Sequence, residues 1–384
     1  MISAGRLAWL QLRRQKIRLA VAFAGVGFAV VLMFMQFGFQ DALFRSSVNV
    51  HQKLVADIVL IHPNYNFLGF PTSISRRRLY QALGIDGVAS VTPLYTGLGR
   101  WRNPISGAAR TIFVMGIDPA AEVFDIPEVN AQRETIRYPD VVLYDALSRP
   151  EFGPVAEIVK AGKDFTTEVT GHAVTVKGLY PLGASFGIDA SCVTSDMNFL
   201  RMFPQHEPGI ISAGLVRLRP GADVTAVRNA IAAALPNDVD VLTKQEYVTR
   251  EIRYWASATP IGYVFSFGVA MGLVVGSIIV YQILFTDIGD HLAEYATLKA
   301  MGYRNRFLVA VVLMEGMILA IGGYFPGIGL CYWLYGVTES ATKLPMRLSA
   351  ERGALVFGLT AAMCVVSGLI AMRKLRAADP AEIF

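Results

Sequence analysis

LAVAFAGVGFAVVLMFMQFGFQ, residues 19–40, runs for 22 residues without a charge. A hydrocarbon core about 30 Å thick is crossed by roughly 20 mostly apolar residues in a helix, so this stretch is long enough to span a bilayer. The apolar core of a cleaved signal is about 7–15 residues long and ends at small residues. This run is longer and ends in Gln36-Phe37-Gly38-Phe39-Gln40, so it reads as a retained helix.

Three further stretches meet the same length. Residues 256–286 and 353–372 carry no charge, and 307–335 carries only Glu315. Nothing between 41 and 255 qualifies. The 384 residues are 53% apolar and 17% charged, against about 25% charged in ordinary soluble domains. That excludes a simple soluble enzyme and a disordered chain, and three cysteines exclude a disulfide scaffold. The expected fold is a polytopic α-helical membrane protein with four transmembrane helices and a large α+β extracytoplasmic domain inserted between helices 1 and 2. The expected segments are an N-terminal piece 1–18, helix 1 at 19–43, the outer domain with its stalk at 44–255 and helix 2 at 256–286. A helical connection comes next at 287–306, then helix 3 at 307–335, an outer loop at 336–352, helix 4 at 353–372 and a tail at 373–384.

Orientation follows from Lys and Arg near the spans. Arg6, Arg13, Arg14, Lys16 and Arg18 precede span one with no acid among them, and Arg373, Lys374 and Arg376 come after span four. Both termini and 287–306 are therefore expected in the cytoplasm, with the large block and 336–352 outside. The net charge of +5 is a topology signal, and no nucleic-acid partner is expected.

Within the outer block, Asp57–Ile61, Val88–Leu94, Arg110–Met115, Asp140–Tyr144 and Val174–Leu179 have strand character, and Asp223–Leu235 reads as a helix. This predicts an α+β domain in two lobes. Its one cysteine, Cys192, has no partner for a disulfide inside it. Thr243 and Glu246 form a capping-box pattern. From there to Thr286 only Pro260 interrupts, so one helix of about 66 Å is expected at ~1.5 Å per residue. Its excess length would stand above the membrane as a stalk, with Tyr254 and Trp255 at the interface and 41–55 as a second strut.

Gly268, Gly272 and Gly276 repeat on one face of span two, and Ala354, Gly358 and Ala362 on span four. Small residues at this spacing let helix backbones approach closely in lipid, either within one chain or across a homodimer. The segment DIGDHLAEYATLKAMGYRNR, 287–306, has Asp287 as a candidate N-cap and Gly302 as a candidate C′ residue. Ile288, Leu292, Tyr295 and Leu298 share one face. Such a helix lies on the membrane, docks a cytoplasmic partner, or is a plain connector. Glu315 is the one ionisable residue inside a span, a position that is costly and often functional. A pairing with a basic residue of 299–306 is the favoured expectation.

Catalytic motifs are sparse. No G-x-x-x-x-G-K-[ST] is present, so no ATP is expected to bind here through a P-loop. His51, His62, His172, His206 and His291 lack metal-ligand spacing and read as surface or turn residues, so no metal site is expected. Gly183-Ala184-Ser185-Phe186-Gly187 fits the G-x-S-x-G of a nucleophile elbow, but residues 188–196 do not read as the helix an elbow needs.

Several strings carry a family resemblance. GLYPLGASFG (178–187), SDMNFLRMFP (195–204), TKQEYVTREIRYW (243–255), VYQILFTDIGDHLAEYATLKAMGY (280–303), GYFPG (323–327) and RKLRAADPAEIF (373–384) resemble DevC-type permease subunits of ABC exporters, within the FtsX/MacB-like permease superfamily. The resemblance implies a homodimer in the bacterial inner membrane, in contact with membrane lipids, whose outer domain is similar to the MacB periplasmic core. It implies a separate cytoplasmic ABC ATP-binding subunit, so this chain is expected to be no enzyme and to hold no cofactor. A periplasmic adaptor (membrane fusion protein) and a TolC-like outer-membrane channel are the implied export partners. Cyanobacterial relatives are linked to glycolipid export. The 287–306 helix would then couple to the ATPase through Asp287, Ile288, Leu292, Glu294, Tyr295, Leu298 and Lys299. The alternative is an FtsX-like signalling relay that activates a periplasmic partner without moving cargo.

Overall fold

The computed structural model describes residues 4–70 and 72–377, with side chains to Met372; the tail from 378 lies outside the described residues. The chain forms two compact units. One holds the residues up to Ala42, Pro260–Thr342 and those from Met346 on; the other holds Leu43–Thr259 with Lys343–Pro345.

The first unit is helical. Its elements are α1 (Ala4–Arg14) and α2 (Lys16–Ser47), the latter reaching into the second unit, then α10 (Pro260–Asp290), α11 (Leu292–Ala300), α12 (Asn305–Thr342) and α13 (Ala350–Ala377). Helices α2, α10, α12 and α13 are long and apolar enough to cross a membrane. They pack through small residues. A Cβ on Gly27 of α2 would meet the Gly323 carbonyl of α12 at 3.3 Å, and one on Gly327 would meet Val30 at 2.8 Å. Arg352 and Asp41 form a half-buried ion pair between α13 and α2.

The second unit contains α3 (Asn49–Lys53), α4 (Arg76–Leu83), α5 (Pro127–Ala131), α6 (Val155–Lys160), α7 (Asp196–Met202), α8 (Val224–Ala234) and α9 (Lys244–Arg253) around its strands. The strands are β1 (Ile58–Ile61), β2 (Ile74–Ser75), β3 (Val88–Arg102), β4 (Ala109–Ile117), β5 (Val141–Asp145), β6 (Phe165–Val169), β7 (His172–Tyr180), β8 (Ser191–Ser195), β9 (Ile210–Ile211), β10 (Ala213–Leu218) and β11 (Asp240–Thr243). Nine strands form one sheet in the order β11-β1-β10-β3-β4-β8-β5-β7-β6, while β2 and β9 pair separately. The pairs β4–β8 and β5–β7 are parallel.

Instead of two separate lobes, one sheet curls. β3 is 15 residues long, and its end pairs with β6 at Trp101↔Val169 and Arg102↔Glu168. Six strands thereby close into a ring through β3. Gly97 and Gly99 permit this curl, since Phe199 and Phe203 crowd the first and Val169 the second, at 2.7–3.3 Å from where a Cβ would sit. Trp101 fills the closed part, stacked near Phe165 and donating from Nε1 to the Phe152 carbonyl at 3.1 Å.

Two sequence expectations are corrected here. The single rod from 243 to 286 is broken. Its capping box forms at Thr243 and Glu246, but Tyr254–Ala258 winds as a π-helix and Thr259 is extended at φ −114°, ψ 151°. The cause is Pro260, which disfavours the helical conformation at the residue before it and suits the first helical position. Asp287 also does not cap a helix. α10 continues through it to Asp290, and α11 starts after His291, which makes no side-chain cap. Gly302 sits at φ +89°, the left-handed conformation that ends a helix.

Candidate functional site

The 287–306 segment builds a polar junction inside the helical unit. Glu294 of α11 accepts from Gln11 Nε2 of α1 at 3.2 Å, and Arg14 lies 3.6 Å from its other oxygen. Arg18 of α2 pairs with Asp290 at 2.5 Å. The Tyr295 hydroxyl donates to Gln11 Oε1 at a long 3.5 Å. Burial, then the nearby Glu315 carboxylate, pushes the Tyr295 hydroxyl up from its ordinary value.

This geometry redistributes the predicted coupling residues. Ile288 and Tyr295 are fully buried, and Asp287 nearly so. Asp287 and Ile288 lie at the end of α10, and Tyr295 packs α11 against the bundle. Leu292 and Leu298 are half-buried, while Glu294, Thr297, Lys299 and Met301 are exposed. The amphipathic pattern is therefore real, but its apolar face is spent on the chain's own bundle. The available face runs along 294, 297 and 301.

Glu315 departs from expectation. It is fully buried, and neither carboxylate oxygen has a hydrogen-bond partner. No basic residue of 299–306 reaches it; its polar neighbours are Asp287 and Tyr295. The glycine face of span two is also filled from within. Gly268 lies against Gln36, Gly272 against Met33 and Leu32, and Gly276 against Ala29 and Met363. A different stripe of α10 is bare: Tyr263, Phe267, Met271, Val274 and Ile278 are exposed.

The outer unit holds a second polar centre that the sequence does not announce. Glu251 Oε2 accepts from the Tyr65 hydroxyl at 2.8 Å and from Leu68 N–H at 3.1 Å, and Oε1 accepts from Trp255 Nε1 at 3.0 Å. His51 Nε2 stands 3.3 Å from Glu251 and 3.0 Å from the Tyr65 hydroxyl, and the Tyr247 hydroxyl donates to Tyr65 at 3.2 Å. All of these groups are buried, so His51 is a core residue and not a surface one. The network joins α3, just after α2, to α9 and the π-turn, just before α10. The available signal was the spacing of Tyr247, Glu251 and Trp255, which places two aromatic rings and a carboxylate on one helical face.

The G-x-S-x-G string is a loop. Asp145 accepts from Leu182 and Gly183 N–H at 3.0 and 2.9 Å, and the Ser185 hydroxyl accepts from Ile188 N–H at 3.1 Å. No helix occurs after Ser185 before Asp196, and Asp189 is paired with Arg149 at 3.0 Å. The nucleophile-elbow geometry is absent. No cluster of three or more metal-ligating side chains occurs among the described residues.

The family model of MacB-like periplasmic core domains matches residues 19–234, more than half the chain, and that of FtsX-like permease C-terminal domains matches 266–380. Among solved structures, the chain is similar to the periplasmic region of MacB from Actinobacillus actinomycetemcomitans, at 10% identity and TM-score 0.36 over 53% of this chain and 96% of that one. It is also similar to the extracellular domain of the ABC-type transporter YknZ from Gram-positive bacteria, at 11% identity and TM-score 0.31 over 49% and 98%. A third is a domain of a permease protein from Porphyromonas gingivalis, at 13% and 0.31 over 50% and 90%. No curated protein matches. With its four apolar helices and sheet-rich outer domain, the chain belongs to the FtsX/MacB-like permease superfamily.

Proposed function

We propose that the chain is the permease subunit of an ATP-driven ABC exporter of the DevC type. In this reading both termini and α11 face the cytoplasm, the sheet domain faces the periplasm, and the motor is a separate ATP-binding subunit. Two copies form the working unit, meeting along the bare stripe of α10, whose apolar window is 17% buried against 39–50% in the other three spanning helices. A periplasmic adaptor and a TolC-like channel receive the cargo, which is a glycolipid, lipid or small hydrophobic molecule.

The observation that carries this reading is α11. Its Tyr295 and Ala296 are buried in the bundle, while Glu294 and Thr297, and Met301 just beyond it, are exposed. A rigidly held helix with one free face suits the transmission of force from a partner. The two connections to the outer unit then differ in kind. α2 is continuous from Lys16 to Ser47, whereas the second crossing is jointed at 254–260. A push on α11 travels along a stiff rod on one side and bends a hinge on the other. The test is to reconstitute the chain with a separate ABC ATP-binding subunit and a periplasmic adaptor. ATP hydrolysis that needs both subunits, together with cargo accumulation in cells lacking the chain, supports export. Hydrolysis by the chain alone sinks the reading. Cells that retain every lipid but lose a periplasmic enzyme activity favour the relay instead.

A further inference from the structure

Helix α1 has a face that the bundle does not use. Ala8, Gln11 and Leu12 are buried, Ala4 and Leu7 pack beside them, and the helix lies along α12. At about 100° of turn per residue, Arg6, Trp9, Leu10 and Arg13 fall together on the opposite side, within roughly 100° of arc. All of them are exposed.

The chemistry of that face is specific. A Trp and a Leu turn away from the protein, between two arginines about 10 Å apart along the axis at ~1.5 Å per residue. Arg14 lies 3.6 Å from Glu294 and Arg18 pairs with Asp290, but Arg6, Arg13 and Lys16 have no ion pair or hydrogen bond among the described residues. Residues 1–18 contain no acid that could balance them. A helix whose free face combines apolar rings and chains with unpaired cations suits the boundary between lipid headgroups and acyl chains. Chain connectivity brings α1 to that boundary. Gln15 alone separates it from α2, one of the membrane-spanning helices, and Ile17 at the start of α2 is 84% exposed. The fork of a guanidinium also matches the oxygens of a phosphate.

We propose that the exposed face of α1 is a binding site for anionic phospholipid. Trp9 and Leu10 enter the leaflet beside the start of α2, while Arg6, Arg13 and Lys16 hold the headgroup phosphates. On the opposite side of α1, Gln11 donates to Glu294 and accepts from the Tyr295 hydroxyl, with Arg14 at the flank beside Glu294. Lipid held on one face therefore steadies α11 on the other. The proposal stands on the membrane location of α2 and does not depend on the export reading.

Tryptophan quenching on the full-length protein tests it, in nanodiscs of phosphatidylcholine that carry either brominated phosphatidylglycerol or brominated phosphatidylcholine. The Trp9 signal is the difference between wild type and Trp9→Phe. Brominated phosphatidylglycerol is expected to quench it at about one-tenth the mole fraction that brominated phosphatidylcholine needs, since each cation near the surface adds attraction for anionic lipid. An Arg6→Gln, Arg13→Gln double variant is expected to lose that preference, and Arg6→Lys, Arg13→Lys to keep most of it. Amide exchange of 292–300 is expected to slow severalfold when phosphatidylglycerol is added to wild type and to ignore it in the Gln variant. Equal quenching by the two lipids overturns the proposal, as does a preference that survives the Gln substitutions. A Trp9 that neither lipid quenches puts this face in water or against a protein and overturns it too, and amide exchange in wild type that ignores the anionic lipid overturns the link to α11.

Discussion

Glu251 shows how much one side chain holds in this molecule. Its two oxygens accept from Tyr65, Leu68 N–H and Trp255 and sit beside His51. Glu251→Ala would orphan three buried donors, each worth about 1–3 kcal/mol when left unsatisfied, so a loss of about 4 kcal/mol is expected. Thermal unfolding of the full-length protein checks it, with Glu246→Ala, an exposed cap contact, expected to cost about 1 kcal/mol. That cap was legible in the sequence because Thr243 and Glu246 are three residues apart and need nothing else. The Glu251 network was not legible, because its partners come from positions 51 and 65, and no local pattern announces a contact across nearly 200 residues. The same reason defeated the pairing expected for Glu315. It lies fully buried inside the helical unit and makes no ion pair with 299–306, in a place where local charge counting pointed to a base.

Among the elements, α10 carries two separable faces. On the inner face Gly276 leaves no room; a Cβ there would stand 2.7 Å from Ala29 Cβ. Gly276→Leu is expected to force α2 and α10 apart, at a cost of about 1–3 kcal/mol or more for overpacking, and to lower the yield of folded protein in detergent. Gly358→Leu on α13, where a Cβ meets nothing within 4 Å, is expected to be tolerated. Size-exclusion profiles of the two variants make the comparison. The π-turn at 254–258 is the other element-scale feature. Such turns add one residue to a helix and recur at functional positions. Deleting Ser257, which is exposed, would draw the turn back toward an α-helix. Export is expected to fall at least tenfold while ATP hydrolysis by the complex persists; unchanged export would make the turn a passive irregularity. The apolar runs were readable because lipid demands them residue by residue. The joint was not, because the proline that marks it also fits an unbroken kinked helix.

Across the whole molecule, a long uninterrupted helix and a jointed crossing connect two units of different character, one built of apolar helices and one of a curled sheet. The existence of both units could be read from charge and length alone. The parallel pairings β4–β8 and β5–β7 and the closure of β3 on β6 could not, since they join strands about 35–80 residues apart whose local patterns are alike. Force transmission requires that the face of α11 at 294, 297 and 301 receive a separate motor subunit. Co-purification of the ATPase subunit with wild type and with a Thr297→Arg, Met301→Asp double variant is the decisive comparison. Both sites are exposed, so the variant should unfold at the wild-type temperature. It is expected to lose the ATPase subunit while keeping its fold. An ATPase that still co-purifies with it in wild-type amounts would refute the entry of force at this face.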